Sequence, residues 1–230
     1  VIDKLPERLS VEFLTSAPDR QRAPEPDQLE IAIAGRSNAG KSSVLNRLTG
    51  NRRTAKVSRT PGRTQLLNFF AIVGADLPPG RLVDLPGYGF AKAAKASQAN
   101  WQAAVNDYLS HRDCLGALVL VMDIRHPLQP FDVELLEWAD ASGLPVRILL
   151  NKADKLRRGA RQQTLMAVKK EVSKYSLTSL QLFSALRGEG QQELLACLLT
   201  WLTSAEEVPD DAKQTGAMDP DTEPAAPPAS

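Results

Sequence analysis

Two rhythms of apolar and polar residues alternate along this chain. Continuous apolar runs of strand length lie at residues 29–35 (LEIAIAG), 66–73 (LLNFFAIV), 81–84, 116–123 (GALVLVMD), 145–151 (PVRILLN) and 180–183. Between them apolar positions recur at helical spacing, over residues 41–48, 91–110, 132–142, 161–175 and 191–202. In the second of these, Trp101, Val105, Tyr108 and Leu109 mark the stripe. An unbroken run such as GALVLVMD suits a strand covered on both faces. Strands alternating with helices predict a single α/β domain: a mostly parallel, six-stranded sheet with helices on both faces. In such sheets ligands bind beyond the carboxyl ends of the strands.

The pattern fails at both ends. Residues 1–28 read as an N-terminal extension, with a short apolar patch at 11–14 that packs on the core and a loop holding Pro18, Pro24 and Pro26. The domain proper is read as 29–204. Residues 205–230 are acidic, rich in Pro and Ala, and without apolar period. Burial there cannot offset the entropy of ordering, so this tail is expected to be disordered.

Charge follows the same division. Of 28 basic and 27 acidic residues, seven acidic and one basic lie from Ala205 onward, which leaves the rest of the chain at +7. A basic body suits a polyanionic partner, and a solvated surface accounts for it equally. No apolar run approaches the ~20 residues of a membrane-spanning helix, and no membrane association is expected. The start lacks the cationic and apolar stretches of a secretory leader. Cys114 and Cys197 lie at or within apolar segments and suit buried thiols. The chain reads as cytoplasmic.

Every candidate motif falls at or just after a predicted strand end. GRSNAGKS (Gly35, Arg36, Ser37, Asn38, Ala39, Gly40, Lys41, Ser42) fits G-x-x-x-x-G-K-[ST] between a strand and a helix. Gly35 and Gly40 allow a tight turn whose N–H groups face phosphate oxygens, and the helix adds the positive end of its dipole. Lys41 would reach the β- and γ-phosphates, and Ser42 would place its hydroxyl on Mg²⁺. DLPG (Asp84, Leu85, Pro86, Gly87) closes the strand at 81–84. Asp84 would hold Mg²⁺ through a water, and the Gly87 N–H would bond the γ-phosphate. Between the two lies TPGRTQ at 60–65. A threonine in this loop is needed to complete Mg²⁺ coordination. Thr60 and Thr64 are both chemically able, and position does not choose.

NKAD (Asn151, Lys152, Ala153, Asp154) and SAL (Ser184, Ala185, Leu186) suit a guanine base. Guanine offers an N1–H and a 2-amino group, and one carboxylate, Asp154, can accept from both. Adenine would set a lone pair against that carboxylate, and an unpaired buried polar group costs ~1–3 kcal/mol or more. Asn151 can bond the base edge and tie neighbouring loops. The stem of Lys152 can lie over the ring. The N–H around Ala185 can donate to guanine O6.

Longer strings surround these motifs: FLTSAP at 13–18, GRSNAGKSS, TPGRTQLLNFF at 60–70 and VDLPGYGFAK at 83–92. Through them the chain resembles the TRAFAC class of P-loop GTPases and, within it, the EngB (YihA/YsxC) group of bacterial ribosome-assembly GTPases. The resemblance implies a Ras-like domain that binds GTP or GDP with Mg²⁺, hydrolyses GTP slowly, and helps mature the large ribosomal subunit precursor. Normal septation in cell division would depend on it, and a monomer is the expected state. The resemblance selects Thr64 as the switch threonine on Mg²⁺, with Gly62, Arg63, Gln65 and Leu66 in the same nucleotide-contacting loop. Ras-type enzymes orient the attacking water with a glutamine after D-x-x-G, where this chain has Tyr88. Weak intrinsic turnover follows as an expectation. Asn38 matches the asparagine that looks like a potassium ligand in related GTPases, so K⁺ is a candidate cofactor. Lys41, Thr64 and Asn38 are then the residues nearest the chemistry.

Other features carry less. His111 and His126 lack metal-ligating neighbours at useful spacing, and Trp101, Trp138 and Trp201 fall on predicted helices as packing residues. Lys155, Arg157, Arg158, Arg161, Lys169, Lys170 and Lys174 could meet RNA or form a solvated basic face; Lys92 and Lys95, beside the phosphate-sensing loop, are better RNA candidates. Two rival functions stand beside the switch: a nucleotide-gated adaptor with incidental hydrolysis, and a phosphotransferase. NKAD with SAL disfavours the second.

Overall fold

The computed structural model describes residues 5–50, 66–74, 77–88 and 95–206. In chain order the elements are β1 (Val11–Ala17), β2 (Glu30–Gly35), α1 (Lys41–Thr49), β3 (Leu67–Ile72), β4 (Arg81–Asp84), α2 (Lys95–His111), β5 (Leu115–Asp123), α3 (Pro130–Ala141), β6 (Val146–Asn151), α4 (Arg158–Val172), β7 (Thr178–Leu182) and α5 (Gln191–Glu206). Each apolar run became a strand and each helical stretch a helix.

The strands form one sheet in the order β1-β3-β4-β2-β5-β6-β7. The pairs β2–β4, β2–β5, β5–β6 and β6–β7 are parallel, and β3 runs antiparallel to β1 and β4. The expected six strands are therefore corrected to seven. The addition is β1, whose apolar patch pairs with β3 from Val11↔Ile72 to Ala17↔Leu67. Its alternation is weak because Glu12, Phe13 and Leu14 are all exposed, and the register slips between Phe13 and Thr15. An edge strand packed on one side leaves little periodicity to read.

Period-two alternation divides the core between the two faces of the sheet. Ala32, Ala34, Leu118 and Leu120 meet Tyr108 of α2, Leu136 of α3 and Val168 of α4. Ile31, Ile33, Val119 and Val121 meet Leu45 and Leu48 of α1 and Leu195 and Leu198 of α5. Trp138 and Trp201 pack on these cores. The motif-bearing strands thus run parallel at the centre, and their carboxyl ends open on one edge. Among the described residues no helix is long and apolar enough to cross a membrane.

The opposite edge is closed by a buried charge cluster. The fully buried Glu30 accepts from Arg112 Nε at 2.9 Å and Nη2 at 2.6 Å, and from the Tyr108 hydroxyl at 2.8 Å. Arg112 also donates to the Pro24 carbonyl at 2.6 Å, and Arg81 to that of Glu25 at 2.7 Å. Two buried arginines thereby strap the proline-containing segment to the sheet. Burial, with the Glu30 charge, pushes the nearby Cys114 thiol up to about 12, so it stays protonated.

Arg112→Met should leave the Glu30 carboxylate buried without its main counter-charge. The expected loss is ~3–5 kcal/mol of stability, to be read from urea unfolding midpoints.

Candidate functional site

The phosphate-type loop is built by two left-handed residues. Asn38 has φ 66° and Gly40, the N-cap of α1, has φ 98°. Alternating hand over so short a stretch curls the backbone into a concavity lined by N–H groups, an anion-binding shape. Gly40 is required twice over. A side chain is strained at that φ, and a Cβ would lie 2.4 Å from Asn151 Nδ2. At Gly35 a Cβ would lie 2.6 Å from the Val121 carbonyl oxygen, so only glycine lets β2 end that close to β5.

Sheet register brings the lysine of this loop to the carboxylate of DLPG. Ile33 pairs with Asp84 across β2 and β4. Lys41, at the start of α1, forms a nearly buried ion pair with Asp84. Ser42 follows on the same first turn. The Ser42 hydroxyl and Asp84 carboxylate are hard oxygen donors and suit Mg²⁺, which takes one or two protein oxygens and completes its shell with phosphates and water. Among the described residues no three His, Cys, Asp or Glu side chains cluster as a metal cage.

Tyr88 is held away from any catalytic task. Its ring lies 4.3 Å from that of Phe131, and its hydroxyl donates to Asp132, which also accepts from the Gln129 N–H at 2.9 Å in the capping box of α3. Burial, reinforced by the Asp132 charge, drives the phenol well above its ordinary range. Its carbonyl accepts from the Ser37 N–H at 2.7 Å, tying the segment after DLPG to the phosphate loop.

The base-type loops meet through one amide. The buried Asn151 donates from Nδ2 to the Ala39 carbonyl at 2.9 Å and accepts at Oδ1 from the Ala185 N–H at 3.3 Å. Ser184 Oγ donates to Asp154 at 2.6 Å and accepts from the Arg187 N–H at 3.1 Å. Lys152, itself left-handed with φ 64°, spans the phosphate loop to the Asn38 carbonyl and to Asp123, 2.8 Å away. Burial would raise the Asp123 pKa, but hydrogen bonds from Arg125 and Lys152 outweigh it and hold the carboxyl well below its ordinary range.

The structure therefore gathers Gly35 to Ser42, Asp84 to Gly87, Asn151 to Asp154 and Ser184 to Leu186 on one edge. Leu66 precedes β3 directly. Gly62, Arg63, Thr64 and Gln65, with Thr60 and Lys92, lie outside the described residues, as does the tail from 207. The backbone carbonyl of Asn38 accepts from Lys152, and nothing in the geometry of the described residues points to potassium there. His111 and His126 are exposed. Three participants escaped the motif search: Asp123, Arg125 and Arg47. Asp123 had a visible signal, since it ends an apolar strand as Asn151 does; the fold sets the two side by side in register.

A strand, a Gly-rich loop, a Lys-Ser helix start, DLPG and NKAD on one sheet edge define the class of P-loop GTPases. A family model described as "50S ribosome-binding GTPase" matches residues 30–152. The "Probable GTP-binding protein EngB" of Vibrio parahaemolyticus is 49% identical over 194 residues, covering 84% of this chain and 87% of that protein. That of Methylobacillus flagellatus is 50% identical over 200 residues, covering 86% and 95%. The chain belongs to the EngB family of GTP-binding proteins, and it is a GTPase. Solved structures share the fold. A probable GTP-binding protein engB has a TM-score of 0.59 at 22% identity, covering 76% of this chain and 99% of that one. Era, solved in complex with MgGDPNP and nucleotides 1506–1542 of 16S ribosomal RNA, has a TM-score of 0.58 at 22% identity, covering 75% and 56%.

Tyr88→Phe should cost ~1.5–3 kcal/mol in urea unfolding, because Asp132 loses a buried hydrogen bond, and should leave GTP turnover unchanged.

Proposed function

We infer that this chain is a GTP-driven switch in assembly of the large ribosomal subunit, holding a precursor particle in one nucleotide state and releasing it in the other. The observation that supports this reading best is the joint seating of a phosphate loop and a base loop on the single amide of Asn151. The "50S ribosome-binding" description of the matching family model points to the particle. The exposed Arg157, Arg158, Lys169 and Lys170 of the α4 region suit an RNA surface, whereas Arg161 is paired with Glu189.

In this reading Lys41 exchanges Asp84 for the β- and γ-phosphates when Mg·GTP binds. Ser42 and Thr64 would hold Mg²⁺, with Asp84 acting through a water. The metal would neutralise charge on the transferred phosphoryl group. The Gly87 N–H senses the γ-phosphate. Its neighbour Tyr88 is anchored on α3, so a shift at Gly87 would be felt by that helix. Asp154, oriented by Ser184, accepts from guanine N1–H and the 2-amino group, and the Ala185 N–H donates to O6. With the tyrosine hydroxyl engaged by Asp132, intrinsic hydrolysis is slow, and a partner supplies what a glutamine would.

Asp154→Asn should weaken GTP binding about 10- to 100-fold while favouring xanthosine triphosphate, whose 2-carbonyl an amide can match; titration with both nucleotides reads this. Full GTP affinity in that variant would remove the base-reading assignment. Lys41→Ala should abolish productive Mg·GTP binding in the same assay. For the switch itself, purified chain is sedimented with large ribosomal subunits in GDP or a non-hydrolysable GTP analogue. Nucleotide-dependent association that weakens with salt is expected. Association in neither state would leave the adaptor reading instead.

A further inference from the structure

One side chain outside every motif grips the base loop. Arg47 lies on α1, the helix that begins with Lys41 and Ser42. Its Nε donates to the Ala185 carbonyl at 2.8 Å and its Nη2 to the Leu186 carbonyl at 2.7 Å. These join groups 138 and 139 residues apart in sequence. The guanidinium also lies 3.6 Å from where a Cβ on Gly188 would sit, so it fills the inside of the turn.

We propose that Arg47 is a specificity-determining positioning residue that aims the Ala185 N–H at guanine O6. The proposal rests on the reading of Ala185 given above. Leu186 is 71% exposed, so without Arg47 these carbonyls would turn to water and the loop would lose its fixed path. The remaining restraints act on the N-terminal side of Ala185. Ser184 is fixed through Asp154 and Arg187, and the Gly188 N–H bonds the Ser184 carbonyl at 2.7 Å, which holds the far edge of the peptide plane that carries the Ala185 N–H. Among the described residues the Ala185 N–H donates to Asn151 Oδ1 at 3.3 Å, the long end of an N–H···O bond, so a base oxygen can share it with Asn151. Arg47 is the group that fixes Ala185 from its carbonyl side. A planar guanidinium with two parallel donors suits the task, and lysine would not replace it.

The test separates the two arms of base recognition. GDP, 6-thio-GDP and IDP are titrated onto the full chain and its Arg47→Ala and Arg47→Lys variants. 6-Thio-GDP keeps N1–H and the 2-amino group but weakens the acceptor at position 6. IDP keeps O6 and N1–H but lacks the 2-amino group that faces Asp154. Both variants should lose about fivefold to tenfold in GDP affinity, with the GDP to 6-thio-GDP ratio falling towards one and the GDP to IDP ratio unchanged. Equal weakening for all three nucleotides, with both ratios preserved, would make Arg47 merely structural and overturn the proposal. So would collapse of the IDP ratio, or unchanged GDP affinity. A wild-type chain that does not distinguish GDP from 6-thio-GDP would instead remove the O6 reading of Ala185, and the proposal with it. Thermal melting without nucleotide identifies a variant that has failed to fold; Arg47→Gln, which keeps one donor, then serves in its place and should lie between wild type and a full loss.

Discussion

One buried side-chain amide holds the site together. Asn151 ends β6 and uses both halves of its amide, one towards the phosphate loop at Ala39 and one towards the base loop at Ala185. Neither loop belongs to a strand or helix at those points, so each depends on an external anchor for its path. The same contact dictates neighbouring sequence. Gly40 must lack a side chain because the amide lies where a Cβ would go. A carboxylate in place of the amide would face the Ala39 carbonyl with no proton to give.

Around this anchor the ties are redundant in direction but not in chemistry. Lys152 stitches the phosphate loop to β5, and Arg47 runs from α1 to the base loop. The Tyr88 carbonyl joins the DLPG segment to Ser37, while its hydroxyl reaches the N-terminal turn of α3. A nucleotide that moves Gly87 therefore acts on a segment already fastened at Tyr88. In the proposed switch, such fastening would carry a small local shift to α3. The buried Glu30 cluster fixes the strand starts at the other edge of the sheet.

The central fold was legible because strands buried on both faces must be apolar along their middles, and β2, β5 and β6 are, with Glu30, Asp123, Arg147 and Asn151 at or next to their ends. The edge strand β1 was not, since half of its side chains face solvent and its register slips. Four motifs were legible because tight turns and polar recognition restrict residue type at fixed spacing. Arg47 was not, because its contacts run to a segment 138 and 139 residues away and depend on how α1 is packed; Asp123 showed only its place at a strand end, and Arg125 enters only as its near neighbour. Tyr88 was legible as a departure from the Ras pattern, but its bond to Asp132 required the third dimension. The two readings of Thr60 and Thr64 stay separated only by resemblance, since both lie outside the described residues.

Asn151 joins the phosphate-type loop to the base-type loop, and nucleotide affinity reports on that joint. Titration of GDP with Mg²⁺ onto Asn151→Asp, beside the wild-type chain and with urea unfolding to verify the fold, measures it. Replacing the amide by a carboxylate of the same shape should lower GDP affinity by about 10- to 100-fold in a chain that still unfolds cooperatively. Wild-type GDP affinity in that variant would show that the amide of Asn151 is not the joint between the two loops.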